Sequence, residues 1–303
     1  MRIGIDFGGT NVKVGIFQEN GAVISFDEFK VKDLEGVGEF VPSLIDRVTQ
    51  LAQGHILRGG GLASKGLVDR HQGIVLDDIG AGKSLGGLNI RDAFQNALNI
   101  PFIVDNDARA YAWGEAAFGA GKGYNVIVCM TLGTGLGCAV VKDGQPYEGS
   151  DPLGGLLGGH ISIDRKGPFC SCGNIGCLEL FCSATALYKM IRNQHSDLLA
   201  ATDPLPVYFQ RAANQEQPYW DTFREFQRNL AIGIVNVIHA YGPEAVILGG
   251  GVMNSADIIM PGMAKLVKKM GWTYPRGKVE LVSSELGNRA AAMGIAFHPQ
   301  LKL

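Results

Sequence analysis

Asp6, Gly8, Gly9 and Thr10 form the first group of residues in this chain whose types and spacing could do chemistry. Glycines let a backbone come within hydrogen-bond reach of a phosphate, a threonine hydroxyl adds a donor, and an aspartate can hold a hydrated magnesium ion. Asn11 and Lys13 complete this candidate nucleotide-binding stretch, although an ordinary Gly-Gly hairpin turn would carry the same glycines. A second loop, Gly133-Thr134-Gly135-Leu136-Gly137, repeats the pattern. Two such loops can clamp the phosphates of one nucleotide, and positioning of that kind dominates phosphoryl transfer. Gly249-Gly250-Gly251 is the third element, able to pass flat beneath an adenine or ribose or to form a plain loop. There is no G-x-x-x-x-G-K-[ST] motif, and Gly133 to Gly137 leads into the strand-like Cys138 to Val141 rather than a helix. Neither a P-loop nor a Rossmann fingerprint is therefore present.

Asp107 is the candidate catalytic base. It follows the apolar run Pro101 to Val104 and precedes the helical stretch Ala108 to Ala117, where the helix dipole favours an ionised carboxylate. Such a carboxylate can accept the proton of an attacking hydroxyl. Asp105-Asn106-Asp107 ahead of a helix is also a good capping sequence. His160, Cys170, Cys172 and Cys177 suit a closed, structural Cys₃His zinc site, with Gly173 and Gly176 letting the chain wrap around the ion; free thiols beside an unrelated histidine are the alternative. Cys129, Cys138 and Cys182 read as core thiols.

These groups need elements to position them. Arg2 to Phe7 and Val126 to Leu132 are apolar runs that end in glycine-threonine loops and resume as Val12 to Phe17 and Cys138 to Val141, a hairpin plan used twice. Phe40, Leu44, Ile45, Val48 and Leu51 mark an amphipathic helix within Val37 to Gln53. A long helix is predicted from about Trp220 to Ala240, a strand over Ala245 to Leu248, and a final helix near Ala290 to Phe297 that packs back on the first domain. The glycine elements, in this order, give the signature shared by actin, hexokinase and chaperone ATPases. The expected fold is α/β, with two actin-like (ribonuclease H-like) ATPase domains facing a central cleft and a hinge near Arg109. The smaller domain would be residues 1–108 plus 292–303, and the larger one residues 109–291, carrying the zinc-binding insertion.

Composition agrees with two cores: 303 residues are 46% hydrophobic. A net charge of −2, from 27 basic and 29 acidic residues spread along the chain, offers no footprint for nucleic acid or an anionic membrane. No window approaches the ~18 to 20 uncharged apolar residues of a membrane span, and the opening MRIGIDFGGT reads as a strand rather than a signal peptide, so a cytoplasmic location is expected.

With these residues in view, the sequence resembles the ROK (repressor, open reading frame, kinase) sugar kinases of the bacterial glucokinase and N-acetylmannosamine kinase type over essentially its whole length. The most specific match is Gly159-His160 followed by Cys170-Ser171-Cys172-Gly173-Asn174-Ile175-Gly176-Cys177-Leu178-Glu179, the family's GH and CxCGxxGCxE pattern. The resemblance implies transfer of the γ-phosphoryl group of Mg·ATP to a hydroxyl, O6, of a hexose or N-acetylhexosamine, in a homodimer. Asn106 would orient a sugar hydroxyl, Glu179 would hold one at the anomeric end, and His160 would serve both zinc and sugar. A non-catalytic sugar-binding sensor is the alternative. A repressor's helix-turn-helix module is not expected, because the first phosphate strand begins at Ile3.

The chain departs from the family pattern at the substrate side. Leu157 stands where E-x-G-H would place a glutamate, and a leucine cannot accept the hydrogen bond of a sugar substituent. Ile79-Gly80-Ala81-Gly82-Lys83 replaces the pocket asparagine, and Ser64-Lys65-Gly66 replaces a proline-glycine turn. Lys65 and Lys83 are either solvated or meet an anionic substrate.

Overall fold

The computed structural model describes residues 1–34, 40–77, 85–149, 158–273 and 278–301. In chain order the elements are β1 (Arg2–Phe7), β2 (Asn11–Phe17), β3 (Val23–Lys30), α1 (Phe40–Leu51), β4 (Gly59–Ser64), β5 (Leu67–Asp69), β6 (Ile74–Asp77), α2 (Ile90–Leu98), β7 (Phe102–Asn106) and α3 (Asp107–Phe118). There follow β8 (Val126–Leu132), β9 (Leu136–Lys142), β10 (Gln145–Pro146), α4 (Glu179–Cys182), α5 (Ala184–Gln194), α6 (Pro204–Ala213), α7 (Tyr219–Tyr241), β11 (Ala245–Gly249), α8 (Ala256–Met270), β12 (Glu280–Ser283) and α9 (Ala290–Ala296).

Two sheets share one plan. Their orders are β3-β2-β1-β4-β7 and β10-β9-β8-β11-β12, so the hairpin duplication seen in the sequence extends to the following strands. β1 pairs antiparallel with β2 and parallel with β4, and β4 runs parallel to β7. In the second sheet β11 is parallel to both β8 and β12. Two compact units result, residues 1–123, 140–156 and 285–303 in one and residues 124–139 and 157–284 in the other.

In the first unit β1 buries five consecutive residues from Ile3 to Phe7, the pattern of a strand covered on both faces. Ile3, Ile5 and Phe7 join Leu44 and Val48 of α1, Leu62 of β4 and Phe94 of α2 in one core. Of the predicted helix within Val37 to Gln53, residues 37–39 lie outside the described residues; α1 occupies Phe40–Leu51 with Leu44 and Val48 inward. In the second unit β8 and β11 are buried nearly throughout, and α7 buries Leu230, Ile234, Val237 and Ile238.

One expectation shifts. The strand that delivers Asp107 runs to Asn106 rather than Val104, because Asp105 and Asn106 pair with Ala63 and Ser64 of β4. Arg109 lies inside α3, which belongs wholly to the first unit. The reason is the tight crossing of α3 and α9. A β-carbon on Gly294 would sit 1.8 Å from the Ala110 carbonyl oxygen, and one on Gly114 would sit 2.2 Å from that of Ala290. Both obstacles are backbone and cannot swing aside. Gly294→Ala is therefore expected to lose ~1 to 3 kcal/mol of stability by overpacking, despite the ~1 kcal/mol that alanine gains in a helix. A urea midpoint equal to that of the parent protein would count against this crossing.

Candidate active site and metal centre

The first glycine loop joins β1 to β2, closed by a hydrogen bond from the Gly8 amide to the Asn11 carbonyl at 3.0 Å. Register places Asp6 opposite Lys13, and Lys13 Nζ lies 2.9 Å from Asp6 Oδ2. Burial pulls the lysine's pKa down, but the facing carboxylate outweighs it and holds the ammonium above its ordinary value. The Asn11 side chain donates to Glu28, and Thr10 is exposed at the tip.

Asp107 is the first residue of α3. The cap is Asn106, whose Oδ1 accepts from the amides of Ala108 at 2.9 Å and Arg109 at 3.3 Å, while its Nδ2 donates to the Gly66 carbonyl at 3.0 Å. Of the Asp-Asn-Asp run, Asn106 caps the helix, and Asp107 keeps its carboxylate half-buried at the helix start. Burial, and then the charge of Asp6, raise its pKa to about 6, against the lowering effects of the Ala108 amide at 2.8 Å and of Lys13. A carboxylate of this basicity is ionised at neutral pH and a better proton acceptor than an ordinary aspartate. Beneath it, Asp105 lies 3.4 Å from Arg109 Nε and 3.3 Å from His298 Nε2, all with fully buried side chains. This brace ties the base of α3 to the C-terminal segment. Sequence reasoning missed it, because nothing local connects Asp105 with His298.

In the second unit the other glycine loop is held from below. The Gly133 carbonyl accepts from the Ala184 amide at 2.7 Å and the Thr134 carbonyl from the Thr185 hydroxyl at 2.7 Å, both at the start of α5. Glu179 Oε2 accepts from the Leu136 amide at 2.8 Å. Gly159 approaches the same residue so closely that a β-carbon would lie 1.9 Å from the Leu136 carbonyl oxygen. Glu179 is therefore tied to the loop by its bond to Leu136, and the residue before His160 packs against that same leucine. Gly250, at φ +88°, lies over the end of β8, with its would-be β-carbon 2.5 Å from the Leu132 carbonyl oxygen. Gly249 ends β11, and Gly251 opens a short 3₁₀ turn.

His160, Cys170, Cys172 and Cys177 bring their ligand atoms within 4.8 Å of one another. Cys172 and Cys177 sulfurs are 3.6 Å apart, and Cys170 Sγ is 3.5 Å from His160 Nδ1. A tetrahedral zinc with bonds of about 2.3 Å to sulfur needs edges of roughly 3.8 Å, so the donor set fits such an ion. Gly176, at φ +64°, makes the fold-back possible: a β-carbon there would meet the Asp164 carbonyl oxygen at 1.8 Å. Cys129, Cys138 and Cys182 are buried elsewhere, as expected of core thiols. Leu157 and Ile79 to Lys83 lie outside the described residues. No described helix is long and apolar enough to cross a membrane.

Two mixed sheets of identical order, each with a glycine loop on its first hairpin, define a pair of actin-like ATPase domains. The comparison with known proteins places the chain more closely, since the family model of the ROK family matches residues 2–299. The chain belongs to the ROK family. It is 30% identical to the glucokinase of Thermotoga maritima, over 97% of this chain and 95% of that protein. It is 29% identical to the xylose repressor of Bacillus subtilis, over 97% of this chain and 75% of the repressor. A ROK family glucokinase from Streptomyces griseus, solved in complex with glucose and AMPPNP, superposes with a TM-score of 0.83 at 26% identity, covering 98% of each chain.

Proposed function

We propose that this protein is an ATP-dependent sugar kinase that transfers the γ-phosphoryl group to a hydroxyl, O6, of a hexose or N-acetylhexosamine. The observation that carries this reading is the half-buried Asp107 carboxylate, raised to about 6 and standing at a helix start in the unit that holds the Gly8-Gly9-Thr10 loop. Asp107 accepts the proton of the attacking hydroxyl. Asp6, Gly8, Gly9, Thr10, Asn11 and Lys13 of the first unit, with Gly133, Thr134, Gly135, Gly249, Gly250 and Gly251 of the second, are assigned to the nucleotide. The glycine-threonine loops offer backbone amides to phosphate oxygens, and magnesium bound with ATP would neutralise charge on the transferring group. Asn106, His160 and Glu179 are assigned to the sugar. Asn106 has one amide hydrogen beyond the bond it gives to Gly66, and Glu179 has its second oxygen beyond the bond to Leu136. Zinc on His160, Cys170, Cys172 and Cys177 would have every position filled by protein, and its role is to hold His160 and Glu179 in place.

The similarity to a xylose repressor supports a second reading, a sugar-binding protein without turnover. The retained base favours the kinase. ADP release measured over glucose, mannose, fructose, allose, N-acetylglucosamine, N-acetylmannosamine and anhydro sugars separates the two. Sugar-dependent turnover with at least one member is expected. Saturable binding of a sugar with no ADP release above the sugar-free rate would establish the sensor instead.

A further inference from the structure

Lys65 lies over the first glycine loop. A β-carbon built on Gly9 would be 4.0 Å from both Cδ and Nζ of Lys65, so the aliphatic stem and ammonium cross the open face that this glycine leaves. The placement follows from register. Ser64 pairs with Phe7 across the parallel β1 and β4, and the Lys65 amide donates to the Phe7 carbonyl at 3.4 Å. The next residue, Gly66, turns the chain at φ +81° and accepts from Nδ2 of Asn106, the cap of the helix that Asp107 opens. One dipeptide thus lies beside the loop assigned to phosphate and bonds the mount of the catalytic base.

We propose that the Lys65 ammonium contacts the terminal phosphoryl group of the bound triphosphate and stays with it during transfer, a role that rests on the kinase reading above. Charge balance motivates it. Asp6 and Asp107 place two carboxylates in this region, and Lys13 Nζ lies 2.9 Å from Asp6 Oδ2. A phosphoryl group in a loose transition state spreads negative charge over three oxygens and needs cations that can follow it. Lysine is a compact point charge on a flexible stem, suited to that task. In the step itself the acceptor oxygen forms a bond to the γ-phosphorus while the bond to the β–γ bridging oxygen breaks. The hydroxyl proton goes to Asp107, and Lys65 remains protonated throughout.

Titration calorimetry with magnesium and either AMPPNP or ADP tests the contact without turnover, on the parent protein, Lys65→Met and Lys65→Arg. Losing a charge-assisted hydrogen bond should cost Lys65→Met about tenfold in its preference for AMPPNP over ADP, with ADP affinity unchanged. Lys65→Arg should keep most of that preference. In steady state kcat should fall by about tenfold or more in Lys65→Met while the sugar KM stays the same. An undiminished preference for AMPPNP in Lys65→Met would overturn the proposal and leave the kinase reading standing. So would a raised sugar KM at unchanged kcat, which would assign the lysine to the acceptor. A parent protein that binds neither nucleotide would overturn both readings together.

Discussion

Asp107→Asn is expected to lower kcat by ~100-fold or more while leaving the fold and nucleotide affinity intact. Asparagine has nearly the shape of aspartate and can still accept the Ala108 amide hydrogen bond, now 2.8 Å long, so the helix start survives. What it lacks is a site for the hydroxyl proton. Two pH effects accompany the change. Because the carboxyl must be ionised to act, kcat/KM of the parent protein should rise as pH increases through about 6 and then level off. The stability effect runs the other way. A folded-state pKa of about 6, against an ordinary value of 3.8, means that the fold prefers the protonated acid. That preference contributes stability fully below about pH 3.8 and is lost as pH rises through about 6. Asp107→Asn should therefore melt higher than the parent at pH 7.5, with the difference vanishing near pH 4. A variant that is both inactive and less stable at pH 7.5 would point to a structural role for the carboxylate.

Removing one cysteine of the Cys₃His cluster is the other large perturbation. Cys177 is fully buried, its sulfur lies 3.6 Å from that of Cys172, and it also contacts the His160 carbonyl oxygen at 3.3 Å. Metal binding of this kind contributes on the order of 10 kcal/mol in small zinc domains, so with zinc bound the segment between His160 and Leu178 would depend heavily on an intact ligand set. Cys177→Ser should reduce bound zinc from about one ion per chain to a small fraction, measurable by elemental analysis of the purified protein. Because His160 belongs to the cluster and Glu179 follows Cys177 by two residues, the sugar KM should rise by about tenfold or more, whereas nucleotide affinity should change little. Treating the parent protein with a zinc chelator should reproduce the KM effect. Full activity in metal-free protein would remove the cluster from any part in shaping the site.

Local chemistry explains which features could be read in advance. Apolar runs broken by glycine and threonine revealed β1, β2, β8 and β9, because period and turn residues are properties of neighbours in the chain. The Cys-x-Cys-Gly-x-x-Gly-Cys block announced its own fold-back for the same reason: Gly176 sits at a positive φ that other residues adopt at a cost. Boundaries were harder. The Asp105 and Asn106 residues look like loop formers, yet they are held in β7 by pairing with β4, some 40 residues away in sequence.

The sequence by itself determined the kinds of group available: carboxylates at a helix start, two glycine-threonine loops and a soft four-ligand cluster. Those depend on residue identity and spacing over a few turns. Tertiary structure alone decided that Asp105 would be the brace and Asn106 the cap, since that division rests on Arg109, His298 and Gly66. It also set the basicity of Asp107, because burial and the charge of Asp6 arise only when distant strands and helices close around a side chain.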